Sequence, residues 1–331
     1  MAMSTVLGCG RFLPPRVVTS EELGSELGLG GTAVAERSGV VRRHYAEPGV
    51  GPSDLGREAA LAALGAAGLG PTDLDLIIFA TMTPDIAFPG SACFLQDKLG
   101  CDTIGALDLR AQCAGFLFAL AAGDRFVRAG RARRVLVVGA EIHSTALDHS
   151  PRGAAVTPYF GDGAGAVILG SATEPGVLAT VLHGDPAGYE RFWCEFPASR
   201  HYPARMELEH LEAGRHFYVV DAEAVHPQAE STLPEVAREA LERAGVAPGA
   251  VALFVAHYLD HRVARRALEA GLGVPGERIV ATAEAAGHVA AAGIPIALAD
   301  AMAAGRVGPG DLVCCAAFGA GLSWAAAVIR L

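Results

Sequence analysis

Short apolar runs alternate along the chain with Ala-rich stretches of helical spacing. Residues 57–67 (REAALAALGAA) carry small apolar side chains on a helical period, and the segment 68–71 supplies the stop. LIIFA at 76–80 follows, five apolar residues without polar alternation, which predicts a strand buried on both faces. The order recurs with a strand over 105–109, a helix over 114–129, and strands at VLVVG (135–139) and over 164–169. The opening MAMSTVLGCG has no basic start ahead of an apolar block, so it reads as a first strand and not as a signal peptide. Such alternation predicts an α/β fold with helices covering the sheet.

The pattern then repeats. AGLGPTDLDLIIFA at 67–80 matches AGVAPGAVALFVAH at 244–257, GFLFALA at 115–121 matches GIPIALA at 293–299, and VLVVG at 135 matches LVCCA at 312. The three pairs keep one order and one spacing of about 177 residues, too long a period for a solenoid. This predicts two similar halves, 1–170 and 171–331, packed about a pseudo-twofold axis. Residues 171–216 fit neither copy; rich in Pro, His and aromatics (YERFWCEFPASRHYP), they are expected to be an insertion that covers a pocket.

Composition narrows the class. With 51% hydrophobic and 19% charged residues over 331 positions, disorder is excluded. A net charge of -10 repels phosphate and argues against a dedicated nucleic-acid partner. The best membrane-span candidate, 288–299, is short and ends at Asp300, so no span is expected. The seven cysteines form no C-x-x-C pair, which fits neither a disulfide framework nor a zinc site and points to a reducing cytoplasm.

Cys113 follows the 105–109 strand and begins a helix. There the helix's positive end is expected to lower the thiol pKa and favour a nucleophilic thiolate. The matching second-copy positions lie beside His288 (AAGHVAAAG), and His257 ends the second-copy strand ALFVAH. Functional groups in such sheets gather at the carboxyl ends of strands. Cys113, His257 and His288 therefore converge by symmetry as a nucleophile with two imidazoles.

With these residues in hand, the chain resembles the β-ketoacyl-ACP synthase III family of the thiolase superfamily, nearly end to end. The resemblance rests on ERSGVVRR (36–43), AFPGSAC (87–93), LDLRAQCAGF (107–116), FGDGAGAVIL (160–169), the His257 strand end, GHVAAAGIPIAL (287–298) and AFGAGLSW (317–324). LDLRAQC is similar to the secondary-metabolism branch. The resemblance implies a thiolase fold, five-layered αβαβα from duplicated halves, and a homodimeric acyltransferase acting on thioesters of CoA or acyl carrier protein without metal or other cofactor. By position it implies an acyl-enzyme on Cys113, His257 as the first catalytic histidine, and an oxyanion hole from the backbone N–H groups of Cys113 and Ala320. It places Arg37 and Arg152 on the phosphopantetheine arm, and Phe88 as the residue that a dimer mate inserts into the acyl tunnel. GDGAGA at 161–166 lacks the context of a dinucleotide site and reads as a turn into a strand.

Two departures bear on chemistry. The family has Asn where this chain has His288; an imidazole N–H can donate the same hydrogen bond to a malonyl thioester. This leaves decarboxylative condensation as the preferred reading and acyl transfer to a hydroxyl or amine as its alternative. A non-catalytic partner subunit, the third reading, would characteristically lack the nucleophile. Asp260 stands where the family has Asn and either holds an imidazole as a cation or caps the next helix, the cap being favoured. Arg262, Arg265 and Arg266 on that helix read either as a docking patch for an acidic carrier protein or as a solvated basic face.

Overall fold

Two five-stranded sheets grow from the apolar runs, and both have the same strand order. A computed structural model describes residues 3–201 and 203–331. Met1 and Ala2, at the start of the predicted opening strand, and Tyr202, in the predicted insertion, lie outside those residues. The first half contains β1 (Met3–Phe12), β2 (Arg16–Thr19), α1 (Ser20–Leu27), α2 (Gly31–Ser38), β3 (Arg42–Tyr45), α3 (Pro52–Ala67), β4 (Leu76–Ala80), α4 (Ser91–Leu99), β5 (Gly105–Leu109), α5 (Gly115–Arg128), β6 (Arg134–Glu141) and β7 (Gly163–Ala172). The second contains β8 (Val177–Gly184), β9 (Phe192–Trp193), α6 (Leu208–Glu212), β10 (Val219–Val220), α7 (Ala222–Ala244), β11 (Leu253–His257), α8 (His261–Leu272), β12 (Ile279–Val280), α9 (Ala283–Ala286), α10 (Gly293–Ala303), β13 (Leu312–Gly319) and β14 (Ser323–Arg330).

The first sheet runs β1-β7-β6-β4-β5 and the second β8-β14-β13-β11-β12. In each, the fourth strand (β4 or β11) pairs in parallel on both sides, and the first three strands pair antiparallel with one another. Burial explains the unbroken apolar runs. In β4, Ile78 faces an inner layer while Ile77 and Phe79 face α3 and α4 on the outside. Helices α5 and α10 fill that inner layer between the two sheets, where Phe116, Leu120, Ile294 and Leu298 meet Val135 and Val167 on one side and Val255 and Val313 on the other. Helices α7 and α8 cover the far sheet through Val236, Leu241 and Leu268 against Phe254 and Cys314. The result is the five-layered αβαβα thiolase fold.

One expectation changes. The stretch 171–216 is not an insertion throughout, because it contains the end of β7 and the whole of β8, which pairs with β14 as β1 pairs with β7. An outer strand is held by backbone hydrogen bonds and alternate burial, so β8 need not share residues with β1 to share its place. The segment that leaves the duplicated plan runs instead from Asp185 to Asp221 and is tied by the β9–β10 ribbon, past the expected end. The 57–67 helix starts earlier, at Pro52, where proline at the first helical turn costs no hydrogen bond.

The duplication places two matching turns at the centre of the molecule. Short 3-10 turns over Gln112–Ala114 and Ala290–Ala292 lead into α5 and α10. Each is entered through a left-handed residue that is not glycine, Gln112 at φ 44° and Ala290 at φ 36°. Such a conformation costs about 1–3 kcal/mol and persists only where its surroundings enforce it. Among the described residues, no helix is long and apolar enough to cross a membrane.

Candidate active site

Cys113 lies in the first of these turns, with Gly319 at the end of β13 pressed against it. A Cβ on Gly319 would strike the cysteine's Cβ and Sγ, so glycine is needed for the close approach. His257 ends β11 and packs on the start of α10, where a Cβ on Gly293 would run into its ring. His288 sits in the loop before the second turn. Its N–H donates to the Tyr159 carbonyl at 2.7 Å, and its carbonyl accepts from the Gly161 N–H at 3.1 Å. These backbone bonds bring the first half's 157–161 loop against the second half's histidine.

The three side chains meet. Cys113 Sγ is 3.2 Å from His288 Nε2. The rings of His257 and His288 stack with centroids 4.6 Å apart and planes 13° from parallel. The three donor atoms lie within 4.8 Å of one another, all buried, a set that could also hold a soft metal ion. His257 Nε2 is buried without a hydrogen-bond partner among the described residues, so it is available to a guest. The N–H groups of Ala320 and Cys113 both bear on the sulfur. Ser323 ties the two segments together, its one hydroxyl hydrogen shared between the carbonyls of Ala320 at 2.9 Å and Ala111 at 3.3 Å.

Charge is absent at rest. Burial pushes the Cys113 thiol up to about 12, against the lowering effect of the Ala320 N–H. The expectation of a helix-stabilised thiolate is therefore not met in the free protein. A helix end contributes about 1 kcal/mol, whereas the rise from 9.0 to about 12 corresponds to about 4 kcal/mol. Burial also lowers His257 to about 4 and His288 well below the ordinary imidazole range, the latter helped by its imidazole neighbours. The resting site holds a thiol beside neutral imidazoles.

A small apolar chamber opens over the sulfur, lined by Met82, Phe160, Phe192, Trp193 and Tyr218 together with Cys113, His288 and Ala320. Its volume of about 20 Å³ admits little more than one water-sized sphere. A second cleft of about 250 Å³ is lined by Arg152, Gly153, Gly214 and Phe217, and Tyr218 borders both spaces. Sequence reasoning had no route to Met82 or Tyr218, whose segments carry no motif. His143 and Glu141 had one, because they lie at the carboxyl end of the VLVVG strand, as His257 does on its own strand. His143 is wholly buried, its Nδ1 is 3.1 Å from the Tyr218 hydroxyl, and burial lowers it to about 3.

The other predicted residues are spread along the approaches. Arg37 donates to the Ala154 carbonyl at 2.7 Å, and Arg152 pairs with Asp148 beside the Phe217 ring. Asp260 is the N-cap of α8, accepting from the Arg262 N–H at 2.9 Å, and it also pairs with the Arg262 guanidinium. Burial raises its carboxyl, but the hydrogen bonds from Arg262 outweigh this and hold it below its ordinary value. Its partner is the arginine and not an imidazole. Arg265 pairs with Glu269 and Arg266 with Glu230, and both stay largely exposed. Phe88 is 87% exposed, with Ile86 nearby at 48%.

Known proteins share this fold and much of this sequence. The model for 3-oxoacyl-(acyl-carrier-protein) synthase III matches residues 107–186, and the model for the C-terminal part of the same synthase matches 241–331. The chain is 33% identical to 3-oxoacyl-(acyl-carrier-protein) synthase III from Aquifex aeolicus VF5, covering 99% of this chain and 100% of that one with a TM-score of 0.89. The enzyme of the same description from Pseudomonas aeruginosa PAO1 is 31% identical, with 99% and 98% covered and a TM-score of 0.89. The priming β-ketosynthase of the R1128 polyketide pathway is 32% identical, with 99% and 96% covered and a TM-score of 0.92.

Proposed function

We infer the reaction from one premise: the chain belongs to the 3-oxoacyl-(acyl-carrier-protein) synthase III family and is an acyltransferase of the condensing ketosynthase kind. The reaction we propose has two stages. Cys113 attacks the carbonyl of an acyl thioester, its proton passes to His288 Nε2 at 3.2 Å, and the departing thiolate takes that proton up and leaves as the thiol. The thioester oxygen, briefly an oxyanion, is held by the N–H groups of Cys113 and Ala320. A malonyl-type thioester then enters. As carbon dioxide leaves, the enolate oxygen accepts hydrogen bonds from His257 and His288, and the carbanion attacks the acyl-enzyme. Collapse returns the Cys113 thiol on uptake of one proton and releases a β-ketoacyl thioester. These steps balance without a metal or redox cofactor.

The observation that carries this reading is the sulfur–imidazole contact with a second, unpartnered imidazole stacked behind it. Neutral imidazoles suit enolate stabilisation, because an N–H donor is needed and a cation is not. The cleft lined by Arg152 and Phe217 leads to Tyr218 at the chamber wall and is the proposed path of a phosphopantetheine arm, with Arg37 at its approach. On the same reading, the largely exposed Arg265 and Arg266, with Arg262, meet an acidic carrier protein, and the exposed Phe88 loop is covered by a second copy in a cytoplasmic homodimer.

His288 in place of asparagine favours a second reading, in which an acceptor hydroxyl or amine, deprotonated by an imidazole, receives the acyl group. The acyl-loaded protein, supplied with a carboxyl-labelled malonyl thioester, separates the two. Labelled carbon dioxide together with a β-ketoacyl thioester supports condensation. No gas release, with intact transfer of the acyl group to an alcohol, overturns it in favour of the second reading.

A further inference from the structure

The duplicated plan gives the protein one working turn and one silent turn, and the silent one is occupied from inside. The first presents Cys113; the second presents Ala291 in the same geometry, each after a left-handed residue. Behind Cys113 stands Gly319, the last residue of β13. The last residue of the matching strand β6 is Glu141. The working turn thus meets a glycine from the other half, and the silent turn meets a glutamate from the other half.

Glu141 is wholly buried. Its carboxylate accepts from the Thr83 hydroxyl at 2.6 Å, the Thr81 hydroxyl at 3.2 Å and the Met82 N–H at 3.1 Å, and the Ala291 backbone bears on it too. No cation is among these partners. The carboxylate therefore meets the Ala291 backbone of the silent turn, as the oxyanion would meet the Cys113 N–H of the working one. The two halves touch here, for a Cβ on Gly115 at the start of α5 would lie 3.4 Å from Ala291 Cβ.

We propose that Glu141 is a positioning residue for the working turn: its carboxylate anchors the loop that carries Met82 into the chamber wall, and its negative charge, held beside that chamber, restrains formation of the Cys113 thiolate. The proposal rests on Cys113 being the reacting thiol. The titratable groups that feel this charge are Cys113 and Tyr218, and it pushes both upward. Burial, opposed by the hydrogen bonds, raises the carboxyl itself to about 7. The charge is consequently present above neutrality and absent well below it.

The test is the rate of iodoacetamide alkylation at the Cys113 peptide, followed by mass spectrometry across pH for wild type and Glu141→Gln. The amide keeps the shape and the acceptor oxygen but removes the charge. The profiles should coincide below about pH 6, where the wild-type carboxyl is protonated. Above about pH 8 the variant should react about threefold faster or more, the equivalent of half a pH unit in the thiol's ionisation. Profiles that coincide throughout overturn the proposal. Should Glu141→Gln fail to fold, Thr83→Val serves, since losing that donor raises the carboxyl's proton affinity and should move the neutral-pH inflection toward alkali. An unmoved inflection overturns the proposal as well. Neither variant needs an acyl thioester, so loss of acyl transfer with the predicted alkylation profiles counts against the two-stage reaction alone.

Discussion

Replacing Gly319 by alanine should separate the geometry of the nucleophile from its mere presence. The added Cβ would lie 2.5 Å from Cys113 Cβ and 2.6 Å from its sulfur, with the Cys113 backbone nitrogen at 3.3 Å. Ordinary carbon contacts need close to 3.5–4 Å, so the turn must retreat by about 1 Å. Overpacking of this size costs about 1–3 kcal/mol of stability. A displacement of about 1 Å at a reacting atom costs about 10²-fold in rate. The assay is single-turnover acylation by intact-protein mass spectrometry, paired with thermal unfolding. Gly65→Ala in α3 is the control: nothing lies within 4 Å of its Cβ, and alanine there should stabilise the helix by up to about 1 kcal/mol. Acylation of Gly319→Ala within about threefold of wild type would refute the argument that close approach of β13 fixes the sulfur.

Three further outcomes follow from the same structure. His288→Asn, which keeps an N–H donor, should retain condensation to within about tenfold, whereas His288→Ala should lose about 10²-fold or more of it, read as β-ketoacyl product per acyl-enzyme. Burial holds His257 at about 4 in the folded protein, so the unfolded chain takes up more protons below about pH 6.5; stability is full above that value and declines by up to about 3 kcal/mol as pH falls toward 4. Denaturant titrations should show this decline in wild type and a shallower one in His257→Gln. Phe88→Asp, altering a side chain 87% exposed, should leave the unfolding temperature of the monomer unchanged and weaken self-association in sedimentation; an unchanged association constant would contradict the role of the Phe88 loop in a dimer.

Much of the scaffold was legible because burial writes itself into strands and duplication writes itself twice. LIIFA and LFVAH could be paired by eye, and that pairing carried His257 and His288 toward Cys113 across the length of the chain. Other features depend on what surrounds a residue and not on the residue itself. A cysteine at a helix start suggests a thiolate, yet the burial of Cys113 itself makes desolvation dominant. Strand β8 was hidden because its place is fixed by pairing to β14. The chamber was legible in part, since Phe192 and Trp193 come from the aromatic segment expected over a pocket, whereas Met82 and Tyr218 come from stretches that carry no motif. Glu141 was open to the symmetry argument, since Gly319 matches it in the second copy, but its meaning depends on knowing that Thr81, Thr83 and Met82 surround it.

The most direct trial of the central claim is to incubate the protein with a short acyl thioester, digest it, and weigh the peptide containing Cys113. A mass increase equal to the acyl group on that peptide, removed by hydroxylamine and absent from Cys113→Ala, is the predicted result. An unmodified Cys113 peptide, or an acyl group on another cysteine, would contradict the account.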